Sequence, residues 1–126
     1  MQRDIRFAAT CSSGGAYSGT DGVPVNGRLV AIELVLGTLA SGAADVTVSV
    51  TRTPSGVDLT LLTLSNVSAN ALYYPRHQVH GNTGTALTLD GTRIMATWPI
   101  VCGLVKCVVA QGGNLGAGTV IVYVEE

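Results

Sequence analysis

A chain of 126 residues is one domain's worth of sequence, long enough to bury roughly two-thirds of its unfolded surface in a single core. Its net charge of −1 and pI near 6.0 exclude the basic footprint that nucleic acid requires, and with Lys106 as the only lysine there is no cation cluster for an anionic membrane. Charged residues make up 12% of the chain and aromatics 5%, against 47% hydrophobic, where an ordinary soluble domain is about 25% charged. Thr, Ser, Gly and Asn fill the polar surface instead, so that surface is either neutral or largely covered by other subunits.

The N-terminal "MQRDIRFAATCSS" carries early charge but lacks an apolar run of about 7–15 residues, so no export signal is expected. "RDIRFAAT" alternates Ile5 and Phe7 against Asp4 and Arg6 and can form a strand. "CSSGGAYSGTDGVPVNG" behind it is rich in Gly and Ser and reads as a flexible joint. Residues 1–26 are therefore expected to form an arm, with residues 27–126 as the compact body. A strand of this pattern suits addition to a foreign sheet edge, with Ile5 and Phe7 as anchors and Arg3 and Arg6 at their flanks.

In the body, "GRLVAIELVL" places Val30, Ile32, Leu34 and Leu36 on one face of a strand and Leu29, Ala31, Glu33 and Val35 on the other. Both faces are apolar, which predicts a strand covered on both sides. The apolar run is broken by Glu33 and Gly37 and falls short of the roughly 20 residues a membrane helix needs. "ADVTVSVTR" alternates Val46, Val48 and Val50 with Thr47, Ser49 and Thr51. "VDLTLLTL", "GLVKCVVAQ" and "GTVIVYVEE" follow, rich in β-branched residues. The turn signals "GTLASGA", "TPSGVD", "LDGT" and "GGNLGAG" separate them. Only "SNVSANAL" has room for a helical turn. This pattern predicts an all-β fold, an antiparallel β-sandwich or flattened barrel with an N-terminal arm. Its core should include Ile32, Leu34, Val46, Val48, Val50, Leu61, Val109 and Val122.

The densest chemical cluster is "YYPRHQVHG", residues 73–81. His77 and His80 stand three apart, a spacing that shares a face on a helix but not on an extended segment, and Pro75 opposes a helix interior. No metal and no cofactor is expected. Tyr73, Tyr74 and Arg76 are residue types that anchor protein interfaces. With His77 and His80 they form the second group of contact candidates, against the alternative that both rings close the core. Trp98-Pro99 reads in the same way, as a core or edge anchor or as an interface plug. Cys11, Cys102 and Cys107 are an odd, sparse set that reads as reduced thiols, with Cys102 and Cys107 buried and inert. Asp21, Asp45, Asp58 and Asp90 lie beside turn residues. "GGNLGAG" leads into a strand, so no helix N-terminus is present to hold an anion. With no nucleophile elbow and no carboxylate pair, no enzymatic activity is expected.

These features together resemble the small β-rich virion proteins of tailed bacteriophages, in particular capsid decoration (cement) proteins. The resemblance lies in the Gly/Ser-jointed N-terminal segment, the low-charge all-β body and the final "GTVIVYVEE" strand. It implies binding to the major capsid protein and to copies of itself, possible trimers included. It also implies a place on the outer capsid surface, after synthesis in the host cytoplasm, with no nucleic-acid or membrane partner. Alternative readings are a tail-tip, fibre-base or head–tail joining component, or a carbohydrate-binding β-sandwich using Tyr73, Tyr74 or Trp98 as a sugar platform.

Overall fold

The computed structural model describes residues 1–126 except 54, 79, 81, 89, 90 and 94. The strands are β1 (Gln2–Thr10), β2 (Tyr17–Thr20), β3 (Val25–Val35), β4 (Ala44–Arg52), β5 (Asp58–Val67), β6 (Ala71–Tyr73), β7 (His77–Gln78), β8 (Ala96–Thr97), β9 (Ile100–Ala110) and β10 (Ala117–Glu125). Among the described residues there is no helix, and none is long and apolar enough to cross a membrane. The "SNVSANAL" stretch holds the end of β5 and the start of β6 instead of a helical turn.

Every pairing is antiparallel. The main sheet runs β1-β10-β3-β9-β4-β5, with β2 added to β9 and β6 to β3, while β7 and β8 form a separate ribbon. The register lines up apolar rows. Ile5 faces Val122, which faces Ile32, and Phe7 faces Val120, which faces Leu34. At the other end of the sheet, Val46, Val48 and Val50 stand opposite Val109, Cys107 and Val105. Both sets of rows belong to one buried cluster, although β1 and β5 end the strand order on opposite sides. The sheet must therefore fold over so that its two halves close on a single core, the all-β sandwich or flattened barrel that the alternation predicts. All eight core residues expected from the sequence are buried.

Two devices let the sheet turn. At Gly103, β9 passes from β3 to β4. Its φ is +138°, and a Cβ there would collide with the Thr51 carbonyl oxygen, so only glycine fits. The second device is a bulge in β3. Val124 pairs with Leu29 and Tyr123 with Ala31, which leaves Val30 as the extra residue. The bulge shifts the alternation by one. Leu29, expected on the face opposite Ile32, joins Ile32 and Leu34 in the core cluster. Ala31 is buried on the outer side, as expected for a strand covered on both faces.

The expected arm is corrected. β1 pairs with β10 along its whole length, and Ile5 and Phe7, at 4% and 5% exposure, are core residues rather than anchors for another chain. Arg3 binds Asp21 at 2.7 Å and approaches Glu126 at 3.7 Å, while Arg6 is exposed in the register row Arg6–Ile121–Glu33. The expected joint contains β2, which pairs with β9. Composition cannot reveal this, because the partner strand β10 lies at the far end of the sequence. Phe7→Ala should then cost about 3–5 kcal/mol of stability by opening a cavity, measured by urea unfolding. A loss within experimental error would restore the arm.

Candidate functional site

The site begins at the Val30 bulge. Along that edge of β3, the pairing with β9 ends at Arg28 and the pairing with β6 begins at Ile32. The backbone between them finds other partners. The Leu29 amide donates to the Pro99 carbonyl at 2.8 Å. Arg76 Nη1 donates to the Val30 carbonyl at 3.3 Å and to that of Pro75 at 2.7 Å. An unpaired backbone carbonyl carries a desolvation cost where it is screened from water, and Arg76 supplies the Val30 carbonyl with a donor.

Trp98 lies beside this gap, between β8 and β9, with Arg28 Cζ 4.5 Å and Arg76 Cζ 4.8 Å from its ring centroid. Arg76 also lies 6.0 Å from the Tyr74 ring. Guanidinium groups are drawn to the negative face of an aromatic ring, most strongly to indole. The stack thus ties β3, the 74–76 segment and the 98–99 segment together. Next to it opens a cavity of about 770 Å³, bordered by Arg28, Arg52, Leu59, His77, Trp98 and Ile100. No Asp or Glu borders it among the described residues. Arg28 stands in a cross-strand row with Glu125 and Ile100 and meets Glu125 at 3.3 Å.

The second group of contact candidates is split by the fold. Tyr73 is half-buried and packs against the core, whereas Tyr74 is 60% exposed. His77 pairs with Thr97 across the β7–β8 ribbon and borders the cavity. His80 is exposed and bridges to Ala86. Val79 and Gly81 of the same stretch lie outside the described residues, as does the expected turn at Asp90. No group of three His, Cys, Asp or Glu side chains able to hold a metal occurs among the described residues. The same stretch of chain exposes Ile100, at 71%, and Leu72, Leu87 and Met95. The Leu87 carbonyl receives the Met95 amide at 3.2 Å and Gln78 Nε2 at 3.4 Å, which joins these residues to the ribbon.

Arg28, Arg52 and Ile100 were not singled out in the sequence. Their strands are far apart, and no local pattern marks them. The one available signal was scarcity, since each arginine belongs to a set of seven Lys and Arg. Cys102 also departs from expectation. Only Cys11 and Cys107 are buried. Cys102 is half-exposed beside the cavity, because it lies five positions from Cys107, an odd offset that puts it on the other face of β9.

No family model matches the chain, and no curated protein matches it by sequence. Among solved structures it is similar to a serine protease of Aeromonas sobria, at 10% identity and a TM-score of 0.40, covering 99% of this chain and 26% of that one. It is also similar to the VP2 subviral particle of infectious bursal disease virus, at 15% identity and a TM-score of 0.32, covering 98% of this chain and 37% of that one. The chain therefore spans well under half the length of either. The protease corrects the expectation that enzymatic activity is excluded. That exclusion rested on missing local motifs, and catalytic groups assemble from distant segments that no local motif records. A likeness of this size assigns no reaction to the chain.

Two predictions follow from the geometry. Arg76→Met should lower stability by about 1–2 kcal/mol, through loss of its carbonyl bonds and of the indole contact. It should also shift Trp98 emission, and unchanged stability and emission would show that the stack carries no energy. Burial pushes the Cys107 thiol from 9.0 to about 12. Between those values the unfolded chain has released a proton that the folded chain keeps, so stability is full below the window and falls as pH rises through it. Burial also raises Cys11 and Tyr17 and adds to the fall. Urea midpoints should decline across the window, and less steeply in Cys107→Ala.

Proposed function

We propose that this protein is a structural component of a bacteriophage virion, decorating the capsid by binding major capsid subunits. The observation that carries this reading is the lobe between β6 and β9. Its described residues include exposed Leu72, Tyr74, Leu87, Met95 and Ile100 together with the Trp98–Arg76 stack, in a chain with only 12% charged residues. Aromatic residues and arginine at the centre of an apolar patch are the composition of an interface core. The contact moves from residues 1–26 to this lobe, since Ile5 and Phe7 are committed to the core. Copies arranged about a symmetry axis would add avidity to a modest single contact.

The carbohydrate reading loses ground at Trp98. Two guanidinium groups already occupy the space over its ring, and a sugar stacking there would have to displace them. The test of the capsid reading is co-sedimentation with phage heads lacking this protein. Tyr74→Asp and Ile100→Asp, both at exposed positions, should leave the melting temperature unchanged. Each should weaken binding by about thirtyfold or more, the effect of losing a hot-spot side chain. Full binding by both variants would overturn the assignment of the lobe, and failure of the unaltered protein to co-sediment would overturn the virion reading itself.

A further inference from the structure

We infer that the cavity beside Trp98 is a receptor for a carboxylate presented on an apolar peptide segment, an acidic side chain flanked by aliphatic ones. This rests on the reading of the protein as a binding module and specifies what that module grips. The first argument is charge. Arg28 and Arg52 border the cavity, with the imidazole of His77 as a further polar group, and no carboxylate does so among the described residues, in a chain whose net charge is −1.

The second argument is how the arginines are used. Arg3 holds Asp21, Arg76 is committed to two carbonyls, and Arg28 meets Glu125. Arg52, at the end of β4, has no ion pair or side-chain hydrogen bond among the described residues. Its planar fork of donors matches a carboxylate. Glu125 meets Arg28 at 3.3 Å from outside the cavity lining, so Arg28 can accept a carboxylate. With side chains 52% and 46% exposed, the pair is open to exchange with an incoming anion.

The third argument is shape. Leu59, Trp98 and Ile100 give the cavity apolar walls, and its volume of about 770 Å³ exceeds what a bare anion would fill. A pocket of this size binds best when its apolar walls are covered as well as its polar groups paired. An acidic residue with aliphatic neighbours supplies both.

Trp98 is the only tryptophan, so its emission reports on the cavity directly, and calorimetry repeats the measurement without relying on the indole. The capped tripeptide N-acetyl-Leu-Glu-Leu-amide should bind saturably. Its Leu-Gln-Leu counterpart should bind at least about tenfold more weakly, the loss expected when a charge-assisted hydrogen bond is removed. Arg52→Gln, with its fold verified by circular dichroism, should cause a loss of similar size, and Glu125→Gln should tighten binding by releasing Arg28. Equal binding of the two peptides, or no effect of Arg52→Gln, would overturn the proposal. Hexanoate binding as tightly as the peptide would overturn the peptide assignment in favour of a small-molecule site. Absence of peptide binding while the protein still co-sediments with capsids would sink the cavity alone. Saturable binding without co-sedimentation would support the cavity and remove the virion reading.

Discussion

The extra residue in β3 is the constraint on which both the core and the surface site depend. Without Val30 as a bulge, the strict alternation of "GRLVAIELVL" would send Leu29 away from Ile32 and Leu34. With it, Leu29 enters the core beside them. The same insertion leaves a carbonyl for Arg76 to satisfy. Arg76 then stands over Trp98, and Trp98 shares the cavity rim with Arg28, Arg52 and His77. A local break in strand pairing is thus converted into a fixed arrangement of aromatic and cationic side chains. Bulges commonly re-aim side chains in this way at sheet margins.

The core explains how so few charges suffice. Its largest fully buried side chains are Val, Leu and Ile alone, and Phe7, the only phenylalanine, is also buried. Small branched residues pack two sheet halves closely and leave no buried side-chain polar atom without a partner among the described residues. Stability is supplied by rows such as Ile5–Val122–Ile32, each running across three strands. Charges are consequently free of structural duty over most of the surface. Arg3 and Arg76 join segments, while Arg28 and Arg52 border the cavity.

Much of this was legible in the sequence, because a half-buried strand writes its pairing face into alternate residues. "ADVTVSVTR" is read correctly at Val46, Val48 and Val50, which point inward, while Ser49 of the alternate set is buried as well. What could not be read was pairing between distant segments. "RDIRFAAT" has the pattern of a strand in any sheet, its own or another's. Only the register with β10, which sets Phe7 against Val120, decides between them. The bulge at Val30 was invisible for a related reason, since it is defined by the partner strand and not by its own residues. The site was half legible: Tyr74, Arg76 and His77 stood out as a cluster, while Arg28 and Arg52 reach it from strands remote in sequence.

The two strands that end the sheet order bear on where the protein can make contacts. An unpaired edge would invite any extended chain to add to it. β1 presents exposed Asp4 and Arg6 along its length, charges that an incoming strand would have to desolvate. β5 carries no charge between Leu59 and Val67, yet its pairing with β4 slips twice. At the second slip Asn66 takes a positive φ of 54°, and its amide is held by the Asp45 carboxylate at 2.9 Å. Such irregularities bend an edge away from regular pairing. With β1 charged and β5 irregular, backbone addition is disfavoured at these two strands. The segment that the Val30 bulge organises instead offers side chains, with Tyr74 and Ile100 exposed near the Arg76–Trp98 stack and the Arg28 row.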